Sequence, residues 1–112
     1  MADCLFCRII RKEIPATIVA EDEFCLAFRD INAQAPVHVL IVPRSHVASL
    51  NDVKELGIVS RLHALAARVV TSEGLAERGY RCVINTNDDG GQTVFHLHMH
   101  VLGGRRMTWP PG

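Results

Sequence analysis

Apolar and polar positions repeat along this chain with two different periods. Between Val53 and Thr71 the apolar residues Ile58, Leu62, Leu65 and Val69 recur at spacings of four, three and four. That spacing places them on one stripe of a helix. Asp52, with Glu55 three residues later, resembles a capping box, and Gly74 is the expected stop. A shorter helix is expected from Cys4 to Lys12, with Leu5, Ile9 and Ile10 as its apolar positions and Pro15 beyond its end. Strands are expected over Thr17–Glu21, Phe24–Arg29, Val37–Val42, Arg81–Asn85 and Thr93–Leu102. The Val37–Val42 run is almost continuously apolar and ends at Pro43, which suits a central strand. Glu21-Asp22-Glu23, Ala33 to Pro36 and Asn87-Asp88-Asp89-Gly90-Gly91 read as turns and loops. Strands, one long helix, then strands again predict an α+β fold, an antiparallel sheet with its helices on one side.

The last expected strand carries the chemistry. It reads Phe95-His96-Leu97-His98-Met99-His100-Val101-Leu102 and holds three of the six histidines at every second position. Side chains of an extended strand alternate between faces. His96, His98 and His100 would share one face, and Leu97, Met99 and Val101 the other. A spacing of two is wrong for a helix face.

Composition narrows the choices. Twelve basic residues balance twelve acidic ones, with no basic stripe of the kind a nucleic-acid binder carries. No apolar stretch of about 18 residues exists to span a membrane. The Met-Ala-Asp-Cys start lacks a signal-peptide pattern. A cytoplasmic protein with four reduced cysteines is the expectation. The 112 residues, 48% of them hydrophobic, suit a single domain over residues 1–112 that builds a core without disulfides.

Three readings compete for the histidines. They are ordinary strand histidines, a three-histidine zinc site with an open position, or a nucleophilic centre. Neutral imidazole is a good nucleophile near pH 7 and attacks phosphorus well. The central His98 is best placed for that, with neighbours that orient and protonate. Asn87 to Thr93 precedes it with small residues, backbone N–H groups and a hydroxyl, which suits a phosphate cradle.

The segment His96-Leu97-His98-Met99-His100-Val101-Leu102 resembles the signature of the histidine triad (HIT) family, His-x-His-x-His followed by two apolar residues. The tail Leu102-Gly103-Gly104-Arg105-Arg106-Met107-Thr108-Trp109-Pro110-Pro111-Gly112 is similar to that of the Hint branch, the histidine triad nucleotide-binding proteins. Ile9 to Ala16, Phe28-Arg29-Asp30-Ile31 and Gln34-Ala35-Pro36-Val37-His38 are similar too.

The resemblance implies a HIT-like fold, a five-stranded antiparallel sheet with one long and one short helix. Two sheets would join into a ten-stranded sheet across a homodimer. It implies a purine nucleoside phosphoramidase that hydrolyses the P–N bond of adenosine 5′-phosphoramidates and binds purine nucleoside monophosphates. No cofactor is required for that catalysis. His98 would be the nucleophile, forming a nucleotidylated-histidine intermediate. The backbone carbonyl of His96 would accept from its other nitrogen, His100 would lie beside the α-phosphate, and His38 would couple to the same set. Asn85, Gln92 and Thr93 match phosphate positions, and Asp30 the carboxylate that takes the ribose hydroxyls. Ile31, Phe6, Ile9, Ile14 and Phe28 would contribute to the base and ribose pocket. Trp109 matches a residue that reaches the partner's active site. The plainer alternatives are a satisfied core histidine for His38, core positions for Phe6 and Ile14, and dimer packing for Trp109.

Cys4-Leu5-Phe6-Cys7 is a C-x-x-C pair. By resemblance to other HIT proteins, Cys4, Cys7, His46 and His96 would form a closed structural zinc site. A redox pair and two ordinary thiols are the competing readings, although the βαβ setting of a redox C-x-x-C is missing. Cys25 and Cys82 lie in expected strands and read as core residues. Beside the phosphoramidase stand three other functions. They are a dinucleoside polyphosphate hydrolase of the same family, a nucleotide-binding interaction protein, and a three-histidine zinc hydrolase.

Overall fold

The computed structural model describes residues 4–112; Met1, Ala2 and Asp3, the start of the expected domain, lie outside it. Five strands form one antiparallel sheet: β1 (Ile18–Glu21), β2 (Cys25–Arg29), β3 (Val37–Pro43), β4 (Tyr80–Val83) and β5 (Met99–Gly103), in the order β1-β2-β3-β5-β4. The helices are α1 (Leu5–Ile10), α2 (Gly57–Ser72) and the single turn α3 (Asn87–Gly90). Among the described residues no helix is long and apolar enough to cross a membrane.

Both faces of the sheet are covered. Cys25 and Ala27 of β2, Val39 and Ile41 of β3, and Met99 and Val101 of β5 pack beneath the α2 stripe of Leu62, Leu65 and Val69. Their alternate neighbours Leu26, Phe28, Leu40 and Val42 pack with Phe6 and Ile9 of α1 on the opposite face. This explains why β2 and β3 read as continuous apolar runs: a strand buried on both faces has no polar side to alternate with. The helices therefore lie on both faces, not on one.

Several expected boundaries move. The α2 helix begins at Gly57, not Val53, and no capping box forms at Asp52. Asp52 sits in a short 3-10 turn (Leu50–Asp52), where its carboxylate accepts from the Ser49 hydroxyl at 2.9 Å. Glu55 instead accepts from the Gly57 N–H at 2.8 Å. The other end is as expected: Gly74 takes φ +73°, and the Leu75 N–H closes onto the Val70 carbonyl at 2.8 Å.

β4 starts one residue early and stops at Val83, and β5 starts at Met99, not Thr93. Pro43 has no N–H to offer the next rung of the ladder, and the Leu97 N–H turns away to the Val47 carbonyl at 2.7 Å. His96 and His98 thus precede the strand. Cys82 is not core; it lies exposed on β4, the edge of the sheet, while Cys25 is fully buried.

Candidate active site

The face division expected for the histidine segment survives the shorter strand. Leu97, Met99 and Val101 join the core under α2. His96 and His98 both meet Phe6 of α1 edge-on, with ring centroids 6.0 and 5.1 Å away. His100 lies beside His98 at 5.0 Å. On this face a cavity of about 510 Å³ opens between α1, the end of β2 and the segment before β5. Phe6, Ile9, Ile14, Phe28 and Leu40 form its apolar wall. Asp30, His38, Thr93, His98 and His100 line it with polar groups, and the fully exposed Ile31 stands at its mouth.

Hydrogen bonds fix which nitrogen of each ring carries the proton. His98 Nδ1 lies 2.7 Å from the His96 carbonyl. A carbonyl only accepts, so Nδ1 donates and Nε2 is left bare on the opposite edge of the ring. His38 Nδ1 accepts from the Gln34 N–H at 3.0 Å, so its proton sits on Nε2. That N–H faces His100 Nδ1 at 2.9 Å and Asp30 Oδ2 at 3.3 Å. His100 Nδ1 is then an acceptor, and its own proton sits on Nε2. Asp30 Oδ1 accepts from the Asn32 N–H at 2.8 Å. The cavity therefore offers one unprotonated nitrogen, on His98, beside one N–H donor, on His100.

Burial keeps these rings neutral. It pushes His98 below the ordinary histidine value, against the raising effects of the His96 carbonyl and Asp30. His100 falls to about 4, first through burial and then through repulsion from His98 and His38. Burial lowers His38 as well, opposed by Asp30. A bare imidazole nitrogen at neutral pH is what nucleophilic attack needs.

His96 turns the other way. Its Nε2–H donates to the Pro43 carbonyl at 2.9 Å, which leaves Nδ1 bare. Nδ1 lies 3.4 Å from Cys4 Sγ and 3.6 Å from Cys7 Sγ, and Cys7 Sγ lies 3.4 Å from His46 Nδ1. All four donor atoms lie within 4.8 Å of one another. With metal–sulfur bonds of about 2.3 Å and metal–nitrogen bonds of about 2.0–2.1 Å, the S–N edge of a coordination tetrahedron is about 3.5 Å. The site fits a tetrahedral ion, and a ligand histidine whose second nitrogen donates to a carbonyl is the usual supporting arrangement. Burial, followed by the neighbouring Cys4, raises the Cys7 thiol, opposite to the lowered thiol of a reactive C-x-x-C pair.

Two other metal arrangements fail. His96, His98 and His100 do not converge on one point, because His96 Nδ1 faces the thiols and His98 Nδ1 faces a carbonyl. Asp30, His38 and His100 also cluster within 4.8 Å. Metal on His38 Nε2 would displace its proton onto Nδ1, against the Gln34 N–H.

The remaining expected site residues separate into two groups. Thr93 lines the cavity, whereas Gln92 and Asn85 do not. The Gln92 side chain is buried, accepting from the Asn87 N–H at 3.0 Å and donating to the Ala48 and Val94 carbonyls at 2.8 and 3.1 Å. Its backbone N–H is taken by the Asn87 carbonyl. Gln92 braces the loop that presents Thr93. Asn85 lies beside Gly90 of α3. Trp109 is 82% exposed and outside the cavity of its own chain. Gln34 and Leu40 were not anticipated as site residues. Gln34 acts through its backbone, which no side-chain pattern signals. Leu40 sits in an apolar run whose facing only the sheet register decides.

A family model described as the HIT domain matches residues 11–107. The chain is 51% identical to an uncharacterised HIT-like protein of Synechococcus elongatus, across 98% of this chain and 97% of that one. It is 48% identical to the purine nucleoside phosphoramidase of Escherichia coli, across 92% and 88%. Among solved structures, a HIT family hydrolase of Legionella pneumophila superposes with a TM-score of 0.95 at 53% identity, covering 98% of this chain and all of that one. A histidine triad nucleotide-binding protein of Candida albicans gives 0.85 at 29% identity, covering 96% and 83%. With its three alternating histidines, its sheet and these likenesses, the chain belongs to the histidine triad (HIT) family.

Proposed function

We propose that this protein is a hydrolase that cleaves the P–N bond of purine nucleoside 5′-phosphoramidates. The observation that carries the reading is the 2.7 Å hydrogen bond from His98 Nδ1 to the His96 carbonyl. It leaves Nε2 free to attack in a cavity with an apolar wall suited to a purine. The E. coli relative at 48% identity, named a purine nucleoside phosphoramidase, supports the same substrate class.

In the proposed reaction His98 Nε2 attacks the α-phosphorus. A His98–phosphorus bond forms as the phosphorus–nitrogen bond breaks, and the amine leaves with a proton taken from solvent, which the attacking water of the second step gives back. Water then attacks phosphorus, releasing the nucleoside monophosphate and restoring His98. The His100 Nε2–H and the Thr93 hydroxyl stabilise the phosphoryl oxygens, and Asp30 takes the ribose hydroxyls. Zinc held by Cys4, Cys7, His46 and His96 would be structural. A closed set of four protein ligands leaves no open position, and the ion would hold α1 against the segment that carries His98.

The protein would act as a homodimer. β4 is a sheet edge whose outer hydrogen-bonding groups suit pairing with a second copy, and the exposed Trp109 would reach the neighbouring site. Sedimentation should give about twice the 12.4 kDa chain mass; a monomer would remove the ten-stranded sheet and the role given to Trp109.

The deciding experiment is hydrolysis of a fluorogenic adenosine 5′-phosphoramidate by wild type and His98→Ala, with and without chelator. Turnover should fall by roughly three orders of magnitude or more in the variant, with AMP binding roughly intact, and should survive chelation in a folded wild type. Turnover that persists in His98→Ala refutes the nucleophile. Absence of turnover in a folded, AMP-binding wild type refutes the substrate class.

A further inference from the structure

We infer that Arg105, on the segment after β5, is a positioning residue that sets the proton arrangement of the His38–His100 pair. The inference rests on the proposed reaction only for its effect on rate; the contacts stand without it.

The loop after β2 has no helix or strand between Asp30 and Pro36, yet it supplies the Gln34 N–H that fixes His38. Something must hold Gln34 in place. Inside the loop, the Asn32 N–H donates to Asp30 Oδ1 at 2.8 Å, and the Gln34 side chain donates to the Asn32 carbonyl at 2.9 Å. The start of the loop is tied to β3 by the Asp30 N–H, which donates to the His38 carbonyl at 3.0 Å, but these bonds leave the Gln34 backbone carbonyl unheld.

That carbonyl is held from the C-terminal segment. β5 ends at Gly103, opposite Val37. Gly104 follows at φ +89°, where a Cβ would lie 2.8 Å from the Pro36 Cβ, so the turn lies directly against the end of the loop. Arg105 then sends Nε and Nη2 to the Gln34 carbonyl, at 3.3 and 3.1 Å, and Nη1 to the Arg106 carbonyl at 3.2 Å. Both Gln34-directed donors converge on one neutral carbonyl, an arrangement that fixes position more than charge. Gln34 is thus held at its carbonyl by Arg105 and meets His38 Nδ1 with its N–H at 3.0 Å.

The consequence reaches the cavity. With Gln34 in place, a proton on His38 Nδ1 would face another N–H, so the proton stays on Nε2. His38 Nε2–H then meets His100 Nδ1 at 2.9 Å, and the His100 proton stays on the Nε2 edge. If Gln34 drifts, both His38 tautomers become available, and His100 loses its fixed donor for part of the time. Small misplacements of a catalytic group are costly, about a hundredfold for roughly 1 Å in severe cases.

The test is ¹⁵N NMR of histidine-labelled protein, wild type, Arg105→Ala and Arg105→Lys, above neutral pH. Arg105 is exposed, so the fold should persist, and melting curves check it. Wild-type His38 should show an unprotonated Nδ1 and a protonated Nε2. Arg105→Ala should show averaging of the two His38 signals, with His98 unchanged as an internal control. Its kcat on an adenosine 5′-phosphoramidate should fall about tenfold, and Arg105→Lys, which keeps a donor, should recover most of both. A His38 spectrum identical to wild type in Arg105→Ala overturns the inference, whatever happens to the rate. Averaged His38 signals with an unchanged kcat keep the contact chain but overturn its catalytic consequence. The spectra report on Arg105 even if wild type proves inactive, so failure of the proposed substrate class is separately visible.

Discussion

At the scale of single residues, the site works by assigning one proton to each ring. His98 donates backward to a carbonyl 2.7 Å away and is left bare toward the cavity, while His38 accepts from Gln34 and passes its N–H to His100. Asp30 has one carboxylate oxygen engaged by the Asn32 N–H at 2.8 Å and the other 3.3 Å from His38 Nε2. In the proposed complex it also receives the ribose hydroxyls. Asp30→Asn should weaken AMP binding about 10- to 150-fold, the equivalent of about 1.5–3 kcal/mol for a charge-assisted hydrogen bond. The 2′,3′-dideoxy analogue should lose much less, because it has no hydroxyl to contribute. Calorimetric titration of both ligands separates the cases, and equal losses would remove Asp30 from ribose recognition. The types and spacing of these residues were legible in the sequence. The roles of Gln92 and Gln34 were not, because one is a buried brace and the other works through its backbone.

At the scale of elements, α1 has two tasks. It covers the sheet face that carries the cavity, and it brings Cys4 and Cys7 to His46 and His96. Cys4 is also the N-cap of α1, its sulfur accepting from the Cys7 N–H at 3.4 Å. Cys4→Ser therefore keeps a capping group while replacing the soft metal ligand. The zinc content of purified protein should drop from about one ion per chain, and the melting temperature should fall with it. Metal analysis and a thermal scan on one preparation check this; unchanged zinc content would remove Cys4 from the ligand set. Both helices were anticipated, and the start of α1 within a residue, but the start of α2 was not. Glu55, in place of Asp52, engages the first turn of α2. Sequence spacing alone cannot tell which of two nearby carboxylates reaches an N–H.

At the scale of the whole molecule, burying neutral histidines couples folding to pH. His100 titrates at about 4 in the folded protein against an ordinary 6.5, and His38 is lowered as well. Between those values the unfolded chain binds more protons than the folded one, so the stability this neutrality provides is complete above about 6.5 and is lost as pH falls toward about 4. Each such histidine contributes a slope of at most about 1.4 kcal/mol per pH unit. Urea midpoints measured from pH 7.5 down to pH 4 should fall, and replacing His100 with Asn should flatten part of the decline. An unchanged slope in that variant would show that other groups carry the acid sensitivity. The covering of both sheet faces makes the burial possible, and it follows from the apolar continuity of β2 and β3.

The sequence by itself determined the α+β class, the α2 stripe and the two faces of the histidine segment. Each of these follows from a local period that the backbone must obey. It also determined which residue types could do chemistry. The tertiary structure decided where the last strand begins, because Pro43 cannot continue the ladder and Leu97 bonds to Val47 instead. It placed Cys82 on an exposed edge and helices on both faces, because only strand order reveals which surfaces remain uncovered. It also divided the three histidines between thiols and cavity. That division depends on hydrogen bonds to Pro43, His96 and Gln34, atoms of the backbone that every sequence carries and only a fold puts in place.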